Sequence, residues 1–419
     1  MAKLSFHNYR RVFSRVLSAS LIGGMIFASA AFVSCQTESD DEEKTTQTGG
    51  KIDPSIITEA KVIETTHLTE GLTVFNFIYP SYDPYGNPIM LSGVITAGDS
   101  ITADNPAKGM ILYNHYTINK ADECPSKGPL EEQKAIASAR INVITVSPDY
   151  YGFGITEDKN QAYCIGSANA QAAVDALIAA KKLLPTLGYS DFGTKVFNVG
   201  YSQGGQTAMA VLKLVTQKYP DIKITRTFAG AGPYDLSAIY SSFSTSPESS
   251  MPSTVIGVFL AYNEFYNLGI PNEQIFKGKL LNNLDEWILS KKYTSDEIEN
   301  FLGESSLTEL FTDDVFNSDS EIAKKFLEAY EKDSIANGWT PNQDESIYLY
   351  HNKKDTTVPV ATTESLKSFL LDSGMQQSLN MYSGLYINID TSGEAPYHQN
   401  GGKAFILQAA IQLMFLLTQ

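Results

Sequence analysis

Lys195-Val196-Phe197-Asn198-Val199-Gly200-Tyr201-Ser202-Gln203-Gly204-Gly205 is the stretch on which the reading of the whole chain turns. Its first half has the pattern of a buried strand, and residues 206–218 continue as a helix. Between them lies Gly-x-Ser-x-Gly. A serine on so tight a strand-to-helix turn sits in a strained backbone conformation, and its neighbours must be small; glycines at 200 and 204 satisfy that demand. The turn presents Ser202 Oγ at the end of a sheet. It also aims the Gln203 N–H at the place where negative charge would gather on an attacked carbonyl oxygen. Gly-x-Ser-x-Gly alone arises by chance in roughly one chain of this size and composition in ten, so the flanking strand and helix carry the weight.

Outward from the turn, buried strands alternate with helices. Upstream, strand-like runs at 72–79 and 88–96 are joined by Asp83-Pro84-Tyr85-Gly86-Asn87. An apolar run at 109–115 follows, then a short helix at 135–140 and a second buried strand at 141–146. The latter leads into Pro148-Asp149-Tyr150-Tyr151-Gly152. A long helix at 167–184 is stopped by Pro185 and Gly188. Downstream, a strand at 224–229 ends the first half of the pattern. Residues 236–342 are helical, with candidates at 254–268, 280–290 and 320–337. The alternation resumes with a strand at 346–350, a helix at 362–373, a strand at 379–389 and a helix at 403–417. Such spacing implies an α/β chain with a mainly parallel central sheet flanked by helices.

A serine hydroxyl needs a base within hydrogen-bond reach. The chain has five histidines, and only His351 and His398 follow the turn. His398 falls between the last strand and last helix. His351 opens His-x-x-x-Asp-x-x-Val-Pro, in which Asp355 is the expected acid and His351 a support for the loop. Asp390, a few residues before His398, is the rival acid. The second oxyanion donor is expected after the 109–115 strand, from the backbone N–H of Tyr116 or Thr117 in Asn114-His115-Tyr116-Thr117.

Together Gly200-Tyr201-Ser202-Gln203-Gly204-Gly205, Pro148-Asp149-Tyr150-Tyr151-Gly152, Asp355 before Val358-Pro359, and a late His398 resemble an α/β-hydrolase. Within that fold the chain is most similar to the secretory-lipase and esterase branch. The resemblance spans residues 60–419. It implies the order serine, acid, histidine, and hydrolysis of carboxylic esters through an acyl-enzyme. It also implies that the helical insertion at about 236–342 is a cap over the site. Phe259, Tyr262, Phe265 and Tyr266 are then candidates either for an apolar pocket or for packing inside the cap. Many such hydrolases have His-Gly where this chain has His115-Tyr116. Two other readings stand beside the esterase: an exported peptidase of the same fold, and a lipoprotein that only binds glycans or lipids. No HExxH, paired CxxC, P-loop or dinucleotide pattern occurs, so catalysis without cofactor or metal is expected.

Residues 1–34 carry Lys3, Arg10, Arg11 and Arg15, an apolar run, and no acid, which is the pattern of a secretory signal. Phe32-Val33-Ser34-Cys35 resembles a bacterial lipobox, which makes Cys35 the expected lipidated N-terminus of an exported lipoprotein of the outer membrane. The acidic Gln36–Glu43 tract is either a surface-export signal or a solvated spacer. Residues 35–55 then form a disordered acidic linker before a hydrolase domain at 56–419. Net charge is −16 and becomes −20 once those four cations are removed, which disfavours nucleic acid as a partner. Membrane attachment is expected through the lipid. Cys124 and Cys164 remain as an even pair in an oxidising compartment, read as a disulfide with two separate buried thiols as the alternative.

Overall fold

A computed structural model describes residues 44–45, 59–69, 71–128, 142–303 and 305–418. The expected signal, Cys35, the helix at 135–140, and all of the linker but Lys44–Thr45 lie outside the described residues.

Among the described residues ten strands form one mixed sheet. In chain order they are β1 (Lys44–Thr45), β2 (Lys61–Leu68), β3 (Leu72–Tyr82), β4 (Pro88–Gly98), β5 (Gly109–Asn114), β6 (Val143–Pro148), β7 (Lys195–Tyr201), β8 (Arg226–Gly230), β9 (Ile347–Asn352) and β10 (Leu385–Asp390). Their order across the sheet is β1-β2-β3-β4-β6-β5-β7-β8-β9-β10. The strands from β6 to β10 pair in parallel, and β1 to β4 join them as an antiparallel wing. Nearly every residue of β5 to β9 is buried, which is why these strands read as unbroken apolar runs.

Strand periodicity divides their side chains between two cores. Met110, Leu112, Ile347 and Leu349 point to one face, and Ile111, Tyr113, Tyr348 and Tyr350 to the other. Helices α1 (Gly166–Leu183) and α2 (Gln203–Lys218) follow β6 and β7 respectively. The insertion between β8 and β9 contains α3 (Leu236–Thr245), α4 (Pro252–Phe265), α5 (Asn272–Ile275), α6 (Gly278–Leu284), α7 (Ser295–Leu302) and α8 (Glu321–Asp333). The chain returns through α9 (Ala361–Asp372) and ends in α10 (Tyr397–Leu416). Helices α1, α2 and α9 cover the first face; α10, through Phe405, Ala409 and Leu413, covers the second. Among the described residues no helix is long and apolar enough to cross a membrane.

The insertion has a core of its own. Phe259 of α4 meets Phe326 at 4.6 Å and Phe311 at 5.1 Å between ring centroids. It is fastened to the sheet layer by Asp333, whose carboxylate accepts from Gly166 N at 2.6 Å and Ser167 N at 3.1 Å. Those are free amides of the first turn of α1. Ile165, at its N-cap position, has no side chain to cap them.

Most boundaries fall within four residues of the sequence pattern, and two starts, at 385 in place of 379 and at 397 in place of 403, are displaced by six. β10 starts at Leu385 because residues 378–384 form a turn, with Gly384 at φ 66°. α10 starts at Tyr397, not at Lys403. Gly401-Gly402 looks like a helix break, but the Tyr201 ring packs on them. A Cβ at Gly402 would lie 3.1 Å from that ring, and one at Gly401 would lie 2.7 Å from its hydroxyl.

Chain direction fixes where a site can form. After β5 the chain crosses to β6 on one side and returns to β7 on the other. The carboxyl ends of β5 and β7 therefore border a crevice at a topological switch point. Ser202 directly follows β7.

Candidate active site

Ser202 has φ 57° and ψ −126°, a region that side-chain-bearing residues rarely enter. The surroundings enforce it. Ser202 N donates to Gly230 O at 2.8 Å, and Gln206 N donates to Ser202 O at 3.1 Å. A Cβ at Gly200 would sit 2.0 Å from Gly204 O, and one at Gly204 would sit 2.0 Å from Asn114 O. Strand, turn and helix can approach this closely only with glycine at both places.

The loop after β9 brings Asp355 to the crevice. Its Oδ1 accepts from Thr357 N and Val358 N, both at 2.9 Å. Its Oδ2 lies 2.6 Å from His398 Nδ1, and His398 Nε2 lies 2.8 Å from Ser202 Oγ. An ionised carboxylate only accepts, so Nδ1 carries the proton and Nε2 is left to accept from the serine hydroxyl. Burial pushes the Asp355 carboxyl up. The opposing attraction of His398 and hydrogen bonds from His351 and His398 prevail, and hold it well below the usual carboxylate range.

Neighbouring groups fall into supporting places. His351 Nε2 donates to Val358 O at 2.8 Å and faces Asp355 Oδ2 at 3.5 Å, while its Nδ1 accepts from Thr363 Oγ1 at 2.7 Å. The ring thus braces the loop that carries Asp355. Asp390 is engaged elsewhere, with Ser392 N at 2.8 Å and Tyr350 OH at 3.2 Å. His398 lies in the first turn of α10, and its carbonyl accepts from Tyr201 OH at 2.8 Å. Tyr201 escaped the sequence reading, where it was only the variable residue before the serine. The paired glycines in an otherwise apolar helix were the available signal of a close approach.

Gln203 opens α2 beside Ser202, and both line an apolar cleft that is open to solvent. Its walls include Leu236 and Ile239 of α3, Val255 and Val258 of α4, and the rings of Tyr163 and Tyr330. Phe259, Tyr262 and Phe265 of α4 are buried in the core of the insertion, with Tyr266 just beyond the helix packed against it; Phe265 also meets Tyr85 and Tyr151, and none of the four lines the cleft. The loop after β5 abuts the first turn of α2, since the Asn114 and His115 carbonyls are what a Cβ at Gly204 would meet. His115 Nδ1 donates to Tyr116 O at 2.7 Å, and burial pulls its imidazole down to about 4. Thr117 Oγ1 is 2.8 Å from Tyr163 OH.

The expected disulfide is not present. Cys124 and Cys164 are separate buried thiols. Cys124 packs with Ile118 and Phe153, whereas Cys164 belongs to the core of the insertion. Burial pushes both thiols up, Cys124 to about 12, so neither is a ready nucleophile for exchange.

No curated protein sequence matches the chain. Solved structures share its fold. A Legionella pneumophila protein described as a hydrolase is 20% identical with a TM-score of 0.68, covering 83% of this chain and 89% of its own. The rice cell wall degrading esterase LipA from Xanthomonas oryzae is 20% identical with a TM-score of 0.66, covering 83% and 90%. Candida antarctica lipase A in its closed state is 15% identical with a TM-score of 0.59, covering 86% and 82%. The architecture is that of the α/β-hydrolases. In sequence, the secretory lipase family matches residues 137–386, a span that takes in Ser202 and Asp355. More than half of the chain is thereby matched, and the protein belongs to the secretory lipase family.

Proposed function

We propose that this carboxylic ester hydrolase works through Ser202 as nucleophile, His398 as base and Asp355 as acid. The observation that carries the reading is the unbroken relay from Asp355 Oδ2 through the His398 ring to Ser202 Oγ, at 2.6 and 2.8 Å. Ser202 Oγ attacks the acyl carbon while its proton passes to His398 Nε2. The ester C–O bond then breaks, and the same proton leaves with the alcohol. Water repeats the sequence on the acyl-enzyme and releases the acid. Asp355 keeps the imidazole in the working tautomer and stabilises the imidazolium. Gln203 N–H, with the N–H of Tyr116 or Thr117, receives the oxyanion; each such donor is worth roughly 3 kcal/mol of barrier. Residues 236–342 act as the cap whose apolar wall takes the acyl or alcohol group.

Membership of the family carries export with it. We further propose that residues 1–34 are the signal peptide and that Cys35 carries the lipid. The enzyme would then be tethered to the outer membrane through the 35–55 linker, either in the periplasm or at the cell surface.

The test is turnover of p-nitrophenyl esters from acetyl to palmitoyl by wild type and Ser202→Ala. A loss of about 10⁴-fold or more in kcat, with the fold retained, is expected for a removed nucleophile. Full turnover by the variant, or a fluorophosphonate probe that labels another residue, would refute the triad.

A further inference from the structure

The segment after β5, which supplies the second oxyanion donor, is fastened along its outer side to the helical insertion. Thr117 Oγ1 bonds to Tyr163 OH at 2.8 Å. The Tyr163 ring packs against α4, where a Cβ at Gly257 would come within 2.9 Å of it. Ile118 is buried with Cys124 and Phe153. Asn119, 6% exposed, donates from Nδ2 to Ser295 Oγ at 2.8 Å, on the first residue of α7. Ala121 N donates to Lys291 O at 2.9 Å. The buried Lys291 ammonium in turn binds the carbonyls of Gly152, Glu157 and Lys159. Three consecutive residues, 117 to 119, are thus pinned, two of them by side-chain bonds that lead into the insertion.

We propose that the insertion sets the oxyanion hole, with Tyr163 and Ser295 as positioning residues that act through Thr117 and Asn119. The proposal rests on the reading of Tyr116 or Thr117 as second donor. An oxyanion donor works only when it lies 2.7–3.1 Å from where the charge develops, so a loop that drifts by half an ångström forfeits much of its effect. Two bonds on either side of Ile118 hold that short span against such drift. Tyr163 also lines the cleft beside Ser202. An acyl group that seats well against Tyr163 therefore bears on the residue that holds Thr117. Fit in the cleft is in this way converted into rate as well as affinity.

Ser295 offers a clean perturbation, because it is absent from the cleft wall and α7 is capped by Thr294 with Glu297. Ser295→Ala removes only the acceptor for Asn119, and Tyr163→Phe removes only the hydroxyl. Each variant would be assayed for kcat and KM on a p-nitrophenyl ester, and for inhibition by a trifluoromethyl ketone, whose adduct with Ser202 carries the oxyanion. Partial misplacement of one donor should lower kcat by about ten-fold with KM nearly unchanged, and weaken the ketone by a similar factor. Ser295→Thr, which keeps a hydroxyl, should recover kcat. An unchanged kcat in both variants overturns the proposal. So does a lower kcat with ketone affinity unchanged, since the loss then lies outside the oxyanion hole. If Ser202→Ala is inactive in the same assay, the triad stands whichever way these variants behave. If it is active, the triad itself has failed.

Discussion

Asp355 shows how two demands fall on one side chain. Its Oδ1 ties down the turn at Thr357 and Val358, and its Oδ2 orients His398. Asparagine can keep the first role but reverses the second, since an amide nitrogen at Oδ2 donates where the imidazole also donates. Asp355→Asn should therefore keep its fold by circular dichroism while kcat falls by about 10³–10⁴, as expected when the base is held in the wrong tautomer. Asp355 and His398 were legible because candidates were few and the serine–acid–histidine order is restrictive. His351 is legible only as a support for its loop and Tyr201 not at all, because nothing in a sequence reports which carbonyl an imidazole or hydroxyl will meet. His115 carries a different consequence. Its folded value near 4 lies below the ordinary 6.5, so as pH falls the unfolded chain takes up the proton first. Stability from this group is complete above about pH 6.5 and is lost between there and pH 4, by at most about 3 kcal/mol. Urea midpoints at pH 7.5 and 4.5 should differ less for His115→Gln than for wild type. An equal difference would remove His115 as the cause.

At the scale of elements, the strand–turn–helix at 195–218 was readable because its glycines answer a local steric demand. Gly204 and Gly402 separate two kinds of glycine that look alike in sequence. A Cβ at Gly204 would strike backbone, the Asn114 carbonyl at 2.0 Å, and neither strand β5 nor helix α2 can yield. A Cβ at Gly402 would meet only the Tyr201 ring at 3.1 Å, a side chain that can give slightly. Gly204→Ala should cost about 3 kcal/mol or more and abolish turnover. Gly402→Ala should lie within about 1 kcal/mol of wild type, because the helix propensity gained opposes the small displacement. Thermal midpoints and kcat of the two variants decide the matter; comparable losses would show that the α10 contact is as rigid as the elbow. The same contact explains why the start of α10 was misplaced. Propensity argues against helix at Gly401-Gly402, and tertiary packing against Tyr201 overrides it. The start of β10 was obscured for a simpler reason: Leu379 and Met381 look like strand residues, yet Leu379 is 97% exposed in a turn.

For the whole molecule, the sequence carried the alternation of strands and helices and its interruption, but not how the two bodies of apolar side chains are joined. The join includes an aspartate 167 positions from the helix it caps. Asp333 closes α8, accepts from Gly166 N and Ser167 N, and receives Tyr262 OH of α4 at 2.9 Å. The adjoining Cys164 carbonyl accepts from Gln206 Nε2 at 3.0 Å and Tyr262 OH at 3.1 Å. One carboxylate thus couples α1 of the sheet layer to α4 and α8 of the insertion, a turn away from the helix that carries the elbow. Asp333→Ala strands the buried amide of Gly166, takes the acceptor from the part-buried amide of Ser167 and leaves Tyr262 OH with the Cys164 carbonyl alone, which should cost about 2–3 kcal/mol. The loss should be local, because the sheet and the insertion each retain a core. Hydrogen exchange should quicken in the first turn of α1 and along α4 and α8, while amides of β5 and β7 keep wild-type protection. KM for longer acyl esters should rise as α4, which walls the cleft with Val255 and Val258, loosens. Uniform acceleration across both sets of amides would mean instead that insertion and sheet open as a single unit. The cap could then admit substrate only by motions smaller than its own detachment.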